Sequence, residues 1–194
     1  MGWFSKRRSE AKAQGSEAGQ LARELIYGEF ALTQFYTEGK FFQPDGFFSD
    51  PYVVGFLHGY LVTMADVCSA RRGKHWTQQE GTEFMLSAME EIVGSEQMMA
   101  FVGEPRRCKD NEKYKESYFA ANTLIKAIFA TSSLTSENHL VKEANTLINE
   151  RGNFLVEMFP EPRNGDFLAW AVTEISIRRH IQSVYLTHIP QVIR

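Results

Sequence analysis

His58 and Asp66 are two ionisable residues inside the longest apolar run of this 194-residue chain, Pro51 to Gly73, PYVVGFLHGYLVTMADVCSARRG. An imidazole and a carboxylate are ordinary parts for proton transfer. Eight helical residues, however, advance by about 12 Å and rotate by roughly 80°, so the pair cannot hydrogen-bond without an intermediary. Each therefore reads as a polar group with its own partner on a neighbouring helix. With Tyr60 between them they form the one candidate small-ligand or enzymatic site on this stretch.

Other chemistry is sparse. His139 and Glu143 lie four apart and share a helix face, which suits a solvated pair better than a metal site. Cys108 stands among Arg106, Arg107 and Lys109, cations that favour a thiolate; with no recognisable catalytic partner it reads as a free surface cysteine. The chain has no Glu-x-x-His, no His-Glu-x-x-His, no phosphate-cradling glycine pattern and no Gly-x-Ser-x-Gly. No catalytic residue, metal or cofactor is expected, and the reading leans away from an enzyme.

What the sequence has in abundance is rings. Eleven of its 25 aromatic residues fall between Tyr27 and Tyr60. Phe41-Phe42 and Phe47-Phe48 flank Pro44-Asp45-Gly46, a strong turn signal that suggests a short hairpin over 41–48. Four rings on a turn must cover the core, an apolar small ligand or a protein partner, and Phe41, Phe42, Phe47 and Phe48 are the candidate binding residues. Four of the seven methionines, Met85, Met89, Met98 and Met99, fall on one helical segment; such clusters make adaptable binding surfaces as well as core. At the N-terminus, Trp3 and Phe4 followed by Lys6, Arg7 and Arg8 form a minimal anchor for a membrane surface.

The elements that must position these groups are helices. Asp50-Pro51 starts a helix and Gly73, after Arg71 and Arg72, stops it. Val53, Leu57, Tyr60, Leu61, Met64 and Cys68 form its stripe, widened by Val54, Phe56 and Val67 until little polar face remains. Such a helix must be surrounded. It is long enough to span a bilayer, but the cost of Asp66 at its centre favours a buried helix of a soluble bundle, crossed closely by another backbone at Gly55 and Gly59. Further helices are predicted over about 16–38, 77–103 behind the capping box Thr77-Gln78-Gln79-Glu80, 111–132, 136–152, and 164–188. Over 154–159 periodicity is indecisive, and Gly94-Ser95 marks a kink.

The expectation is an all-α, single-domain bundle of five to six helices around a buried central helix at about 51–72. Residues 1–15 form a mobile basic and aromatic tail and 16–194 the helical domain. A net charge of −3 and pI near 6.0 give no global reason to expect nucleic acid. Two distant cysteines and no secretory signal point to the cytoplasm, with a membrane-peripheral variant if the tail binds lipid. The function expected is that of a non-enzymatic binding or regulatory protein. Its oligomeric state is not legible.

Overall fold

A computed structural model describes residues 2–31, 36–37, 40–41, 46–71, 73, 75–129, 139–162 and 165–175. The fold is all-α. Its helices are α1 (Gly2–Ala31), α2 (Pro51–Arg71), α3 (Gln78–Val93), α4 (Ser95–Cys108), α5 (Glu112–Ile128), α6 (His139–Met158) and α7 (Asp166–Thr173).

Helix α2 begins and ends where its residues dictate. The Asp50 carboxylate accepts from the Tyr52 amide at 2.8 Å, and the Asp50 carbonyl accepts from the Val54 amide at 2.9 Å. Gly73, at φ 66°, bends the chain away after the last turn. Between these ends Val53, Val54, Phe56, Leu57, Tyr60 and Leu61 are all buried. Helix α5 provides the main wall, with α1, α3, α4 and a short 3-10 turn at Phe47–Ser49 closing the rest. Among the described residues α2 is the one helix long and apolar enough to cross a membrane, with a mean hydropathy of 1.4, and 61% of that window is buried inside the fold.

Two glycines set how closely α5 can approach. A methyl group at Gly55 would collide with the Tyr114 carbonyl and the Ser117 hydroxyl, and one at Gly59 with the Tyr118 carbonyl. One turn on, Asn122 Nδ2 donates to Thr63 Oγ1 at 2.8 Å. Partner numbers rise together along both helices, so α2 and α5 run parallel with their backbones in contact. The close crossing expected at Gly55 and Gly59 is present.

The same device recurs where the sequence was read as a tail. Where a mobile tail was expected over 1–15, helix α1 continues back to Gly2 and lies along α3. A methyl at Gly15 would strike the Phe84 carbonyl, and one at Gly19 would sit 2.5 Å from the Ala88 carbonyl oxygen. Ala11, Ala18 and Ala22 are buried on the same face. Small residues need little apolar surface to hold a helix when backbone meets backbone, which is why a weakly hydrophobic segment packs. Helices α1 and α3 are also parallel.

Other boundaries differ from expectation for local reasons. At Gly94 the backbone turns through φ 80°, so the predicted kink is a full break between α3 and α4. Helix α4 then runs on through Gly103 and Pro105 to Cys108, with Arg107 clamping its last turn to Glu104 and to the Ser49 carbonyl. Helix α6 continues through Gly152 and absorbs 154–158. The predicted hairpin over 41–48 is not formed in that register: Tyr36–Thr37 pairs antiparallel with Lys40–Phe41, whereas Phe47 and Phe48 lie in the 3-10 turn. Phe42, the Pro44-Asp45 part of the turn, and the stretch of the last predicted helix beyond Ile175 fall outside the described residues.

The glycine contacts make a paired test. Gly55→Ala must push two backbones apart and should cost about 1–3 kcal/mol or more, whereas Gly152→Ala, with open space at its Cβ position, should gain up to about 1 kcal/mol from helix propensity. Urea midpoints read both. A Gly55→Ala protein as stable as the parent would exclude the close α2–α5 contact.

Candidate functional site

The C-terminal half of α2 is where its surroundings open. Val62, Ala65 and Asp66 face one side and Thr63, Asp66, Val67 and Ala70 the other, because residues three and four apart share a helix face. On the first side a groove of about 400 Å³ runs between α2, α3 and α4. Its floor is Val62, Ala65, Met85, Leu86 and Met89, with Val102 closing it from α4 and Gln78 and Thr82 giving it polar edges. Met99, one turn before Val102, is 71% exposed. On the second side a groove of about 390 Å³ lies between α2 and the end of α5, walled by Thr63, Val67, Ala70, Arg71, Lys126 and Phe129. Arg71 sits 4.6 Å over the Phe129 ring, a cation–π contact. Exposed Asp66 is the ridge between the two grooves.

The small-ligand triad foreseen in the sequence is not assembled. Tyr60 is buried and donates to the Ala18 carbonyl of α1 at 3.1 Å. His58 faces α5 instead, with Nδ1 2.5 Å from the Tyr114 hydroxyl and its ring edge-on to Tyr118 at 5.4 Å. Asp66 is at the surface. Each group has a separate setting, as the eight-residue spacing required. Burial pushes the His58 imidazole below its ordinary value and raises the Tyr60, Tyr114 and Tyr118 hydroxyls. For Tyr118 the Asp66 carboxylate adds to the rise.

The aromatic turn fares differently. Phe47 is 0% exposed, stacks edge-on against Phe48 at 5.2 Å, and Phe48 does the same with Phe101 of α4 at 6.1 Å. These two rings are core, not a recognition surface; they reach it because the 3-10 turn folds them under the start of α2. The side chains of Phe41 and Phe42 lie outside the described residues, as do those of Trp3 and Phe4.

Of the cations that follow Trp3 and Phe4, Arg7 pairs with buried Glu80 at 2.6 Å and Arg8 donates to Gln79. Glu80 simultaneously completes the predicted capping box, accepting from the Thr77 amide at 2.8 Å while Thr77 Oγ1 accepts from the Glu80 amide at 3.3 Å. Lys6 is exposed. Cys108 is buried rather than on the surface, and desolvation raises its thiol despite the opposing pull of Arg107. His139 and Glu143 are both exposed on α6. Among the described residues no three His, Cys, Asp or Glu side chains gather as a metal site would require.

No protein-family model, curated protein or solved structure matches this chain.

Of the groove-lining residues, Met85 and Met89 stood out in the sequence through their clustering, and Asp66 through its apolar surroundings. Val62, Ala65, Leu86 and Val102 did not. The usable signal was Asp66 itself: a carboxylate in a run this apolar marks a face of α2 that reaches water.

His58 gives the α2–α5 contact a pH signature. Its folded pKa lies below the ordinary 6.5, so below about pH 6.5 the unfolded chain takes up a proton that the folded chain refuses. Stability falls as pH drops through that window, and the loss levels off below the folded value. Urea denaturation at pH 7.5 and pH 5.5 should show a smaller acid loss in His58→Gln than in the parent. Equal losses would mean that His58 is no harder to protonate in the fold.

Proposed function

We propose that this chain is a non-enzymatic docking protein and that the groove between α2, α3 and α4 receives an apolar helix face from a protein partner. The observation that carries the reading is the groove's lining: Met85, Leu86, Met89, Val62, Ala65 and Val102 form one open apolar trough, with Met99 exposed beside it. Methionine has three rotatable bonds and a polarisable sulfur, so a Met-rich trough adapts to side chains of several shapes. A helix presents residues at i, i+3, i+4 and i+7 to such a trough. The buried side of α2 supplies the rigid floor. In this reading Phe47 and Phe48 pack the core and the methionines recognise, one of the two roles that the sequence allowed their cluster. The two thiols stay free rather than bridged, which accords with a cytoplasmic setting.

A second reading is favoured by the other groove. Arg71 on the Phe129 face, with Lys126 and Asp66 nearby, suits a small ligand with an apolar body and a polar end.

The docking reading is checked with methyl-labelled methionine and a synthetic amphipathic helix of about 18 residues, five turns, carrying a leucine stripe and a neutral glutamine face. Titration should shift the Met85 and Met89 methyl signals and leave that of buried Met64 in place. Shifts confined to Met64, or none at millimolar peptide, would end the docking reading.

A further inference from the structure

The groove's surroundings say what kind of helix it takes. From Thr77 to Pro105 the chain carries six glutamates and no lysine or arginine, although the whole protein is only three charges negative. Three of the six are engaged within the fold: Glu80 with Arg7, Glu91 with Ser16 at 2.6 Å, and Glu104 with Arg107. Three are left along the outer side of α3 and α4. Glu90 follows Met89 and lies one turn past Leu86; Glu83 follows Thr82 and lies one residue short of a turn before Leu86; Glu96 opens α4. Glu90 accepts from the Ser95 hydroxyl at 2.8 Å, a neutral partner that leaves its charge in place. Asp66 stands in the trough wall opposite. Two cations flank this side: Arg8, which donates to Gln79 one turn before Glu83, and Arg106, one turn beyond Val102 at the end of α4.

An apolar floor between two acidic edges selects its occupant by charge. We propose that the α2–α3–α4 groove binds a cationic amphipathic helix of a partner protein, its apolar stripe on Met85, Leu86, Met89 and Val102 and its lysines or arginines toward Asp66 on one edge and Glu83 and Glu90 on the other. This proposal rests on the docking reading above. An apolar stripe alone would bind any hydrophobic helix; the carboxylates add steering and register, since like charges placed along an edge cost a wrong partner more than they reward a right one. The same edges repel anionic lipid, so the groove is a protein site rather than a membrane contact.

The experiment swaps charge on both sides. Two further peptides keep the leucine stripe of the neutral probe and place either lysine or glutamate on the outer face, and the groove is tested as parent and as the exposed-site variant Asp66→Lys/Glu90→Lys. The lysine peptide should bind the parent roughly tenfold or more tightly than the glutamate peptide, lose that advantage as salt is raised, and reverse its rank on the variant. Met85 and Met89 methyl shifts report occupancy in every arm, and unchanged circular dichroism confirms that the variant is folded. A variant that fails to fold is replaced by Glu83→Gln/Glu90→Gln, which should abolish most of the preference without reversing it. Equal binding of lysine and glutamate peptides, with both methyl signals shifting, would overturn the charge proposal and leave the docking reading standing. Absence of shifts with all three peptides, neutral included, would overturn both. Stronger binding of the glutamate peptide to the parent would also refute the cationic partner.

Discussion

Backbone pressed against backbone is the constraint on which this structure depends. At Gly15 and Gly19 of α1, and again at Gly55 and Gly59 of α2, a neighbouring helix lies so close that a single methyl group would overlap a carbonyl. The approach brings Cα hydrogens near carbonyl oxygens, contacts worth about 0.5–1 kcal/mol each. It also lets flanking side chains interlock at short range. Both pairs are parallel, and parallel helices cannot be joined by a short turn. Helix α2 therefore intervenes between α1 and α3, and α3 and α4 between α2 and α5. The topology follows from the pairing.

The grooves are what this arrangement leaves over. Over its first half α2 is enclosed by α5, α1 and the 3-10 turn, and its residues are buried on every side. Beyond Tyr60 the enclosure is less complete: Val62, Ala65 and Val67 are half-buried and Asp66 and Ala70 exposed. Small side chains at Ala65 and Ala70 leave space unfilled, and troughs open on either side of Asp66. A carboxylate there costs nothing because it reaches water, which resolves the apparent conflict of a charged residue in so apolar a helix.

The central helix was legible because several local signals agreed: an acidic N-cap, a proline, an apolar stripe and a glycine stop. The capping box at Thr77 was legible for the same reason, and both survive in the fold. Helix α1 was not. Its sequence holds few large apolar residues, and periodicity measures only hydrophobic faces; a face made of Ala11, Gly15, Ala18 and Gly19 is silent on that scale. The aromatic turn misled in the opposite direction. Composition showed that the rings had to pack, but only the path of the chain through the 3-10 turn decides that Phe47 and Phe48 face inward. As for the site, Asp66 was singled out as a polar group with its own partner on a neighbouring helix, whereas it stands exposed on the ridge between the two grooves.

The carboxylate of Glu80 ties together residues 73 positions apart, Arg7 at the start of the chain and the first turn of α3. During synthesis this has a temporal side. At about 5–20 residues per second, α1 waits roughly 4–14 seconds for the helix it packs against. For residues 5–20 of α1 the delay is harmless, since a stretch of alanine, glycine, serine, glutamine and charge offers little for other chains to stick to. Helix α2 waits almost as long for α5, and it emerges as a bare run of valine, leucine and phenylalanine. The ribosome therefore presents the stickiest part of this protein well before its wall exists, and a newborn chain must be shielded there by its own earlier residues or by a chaperone.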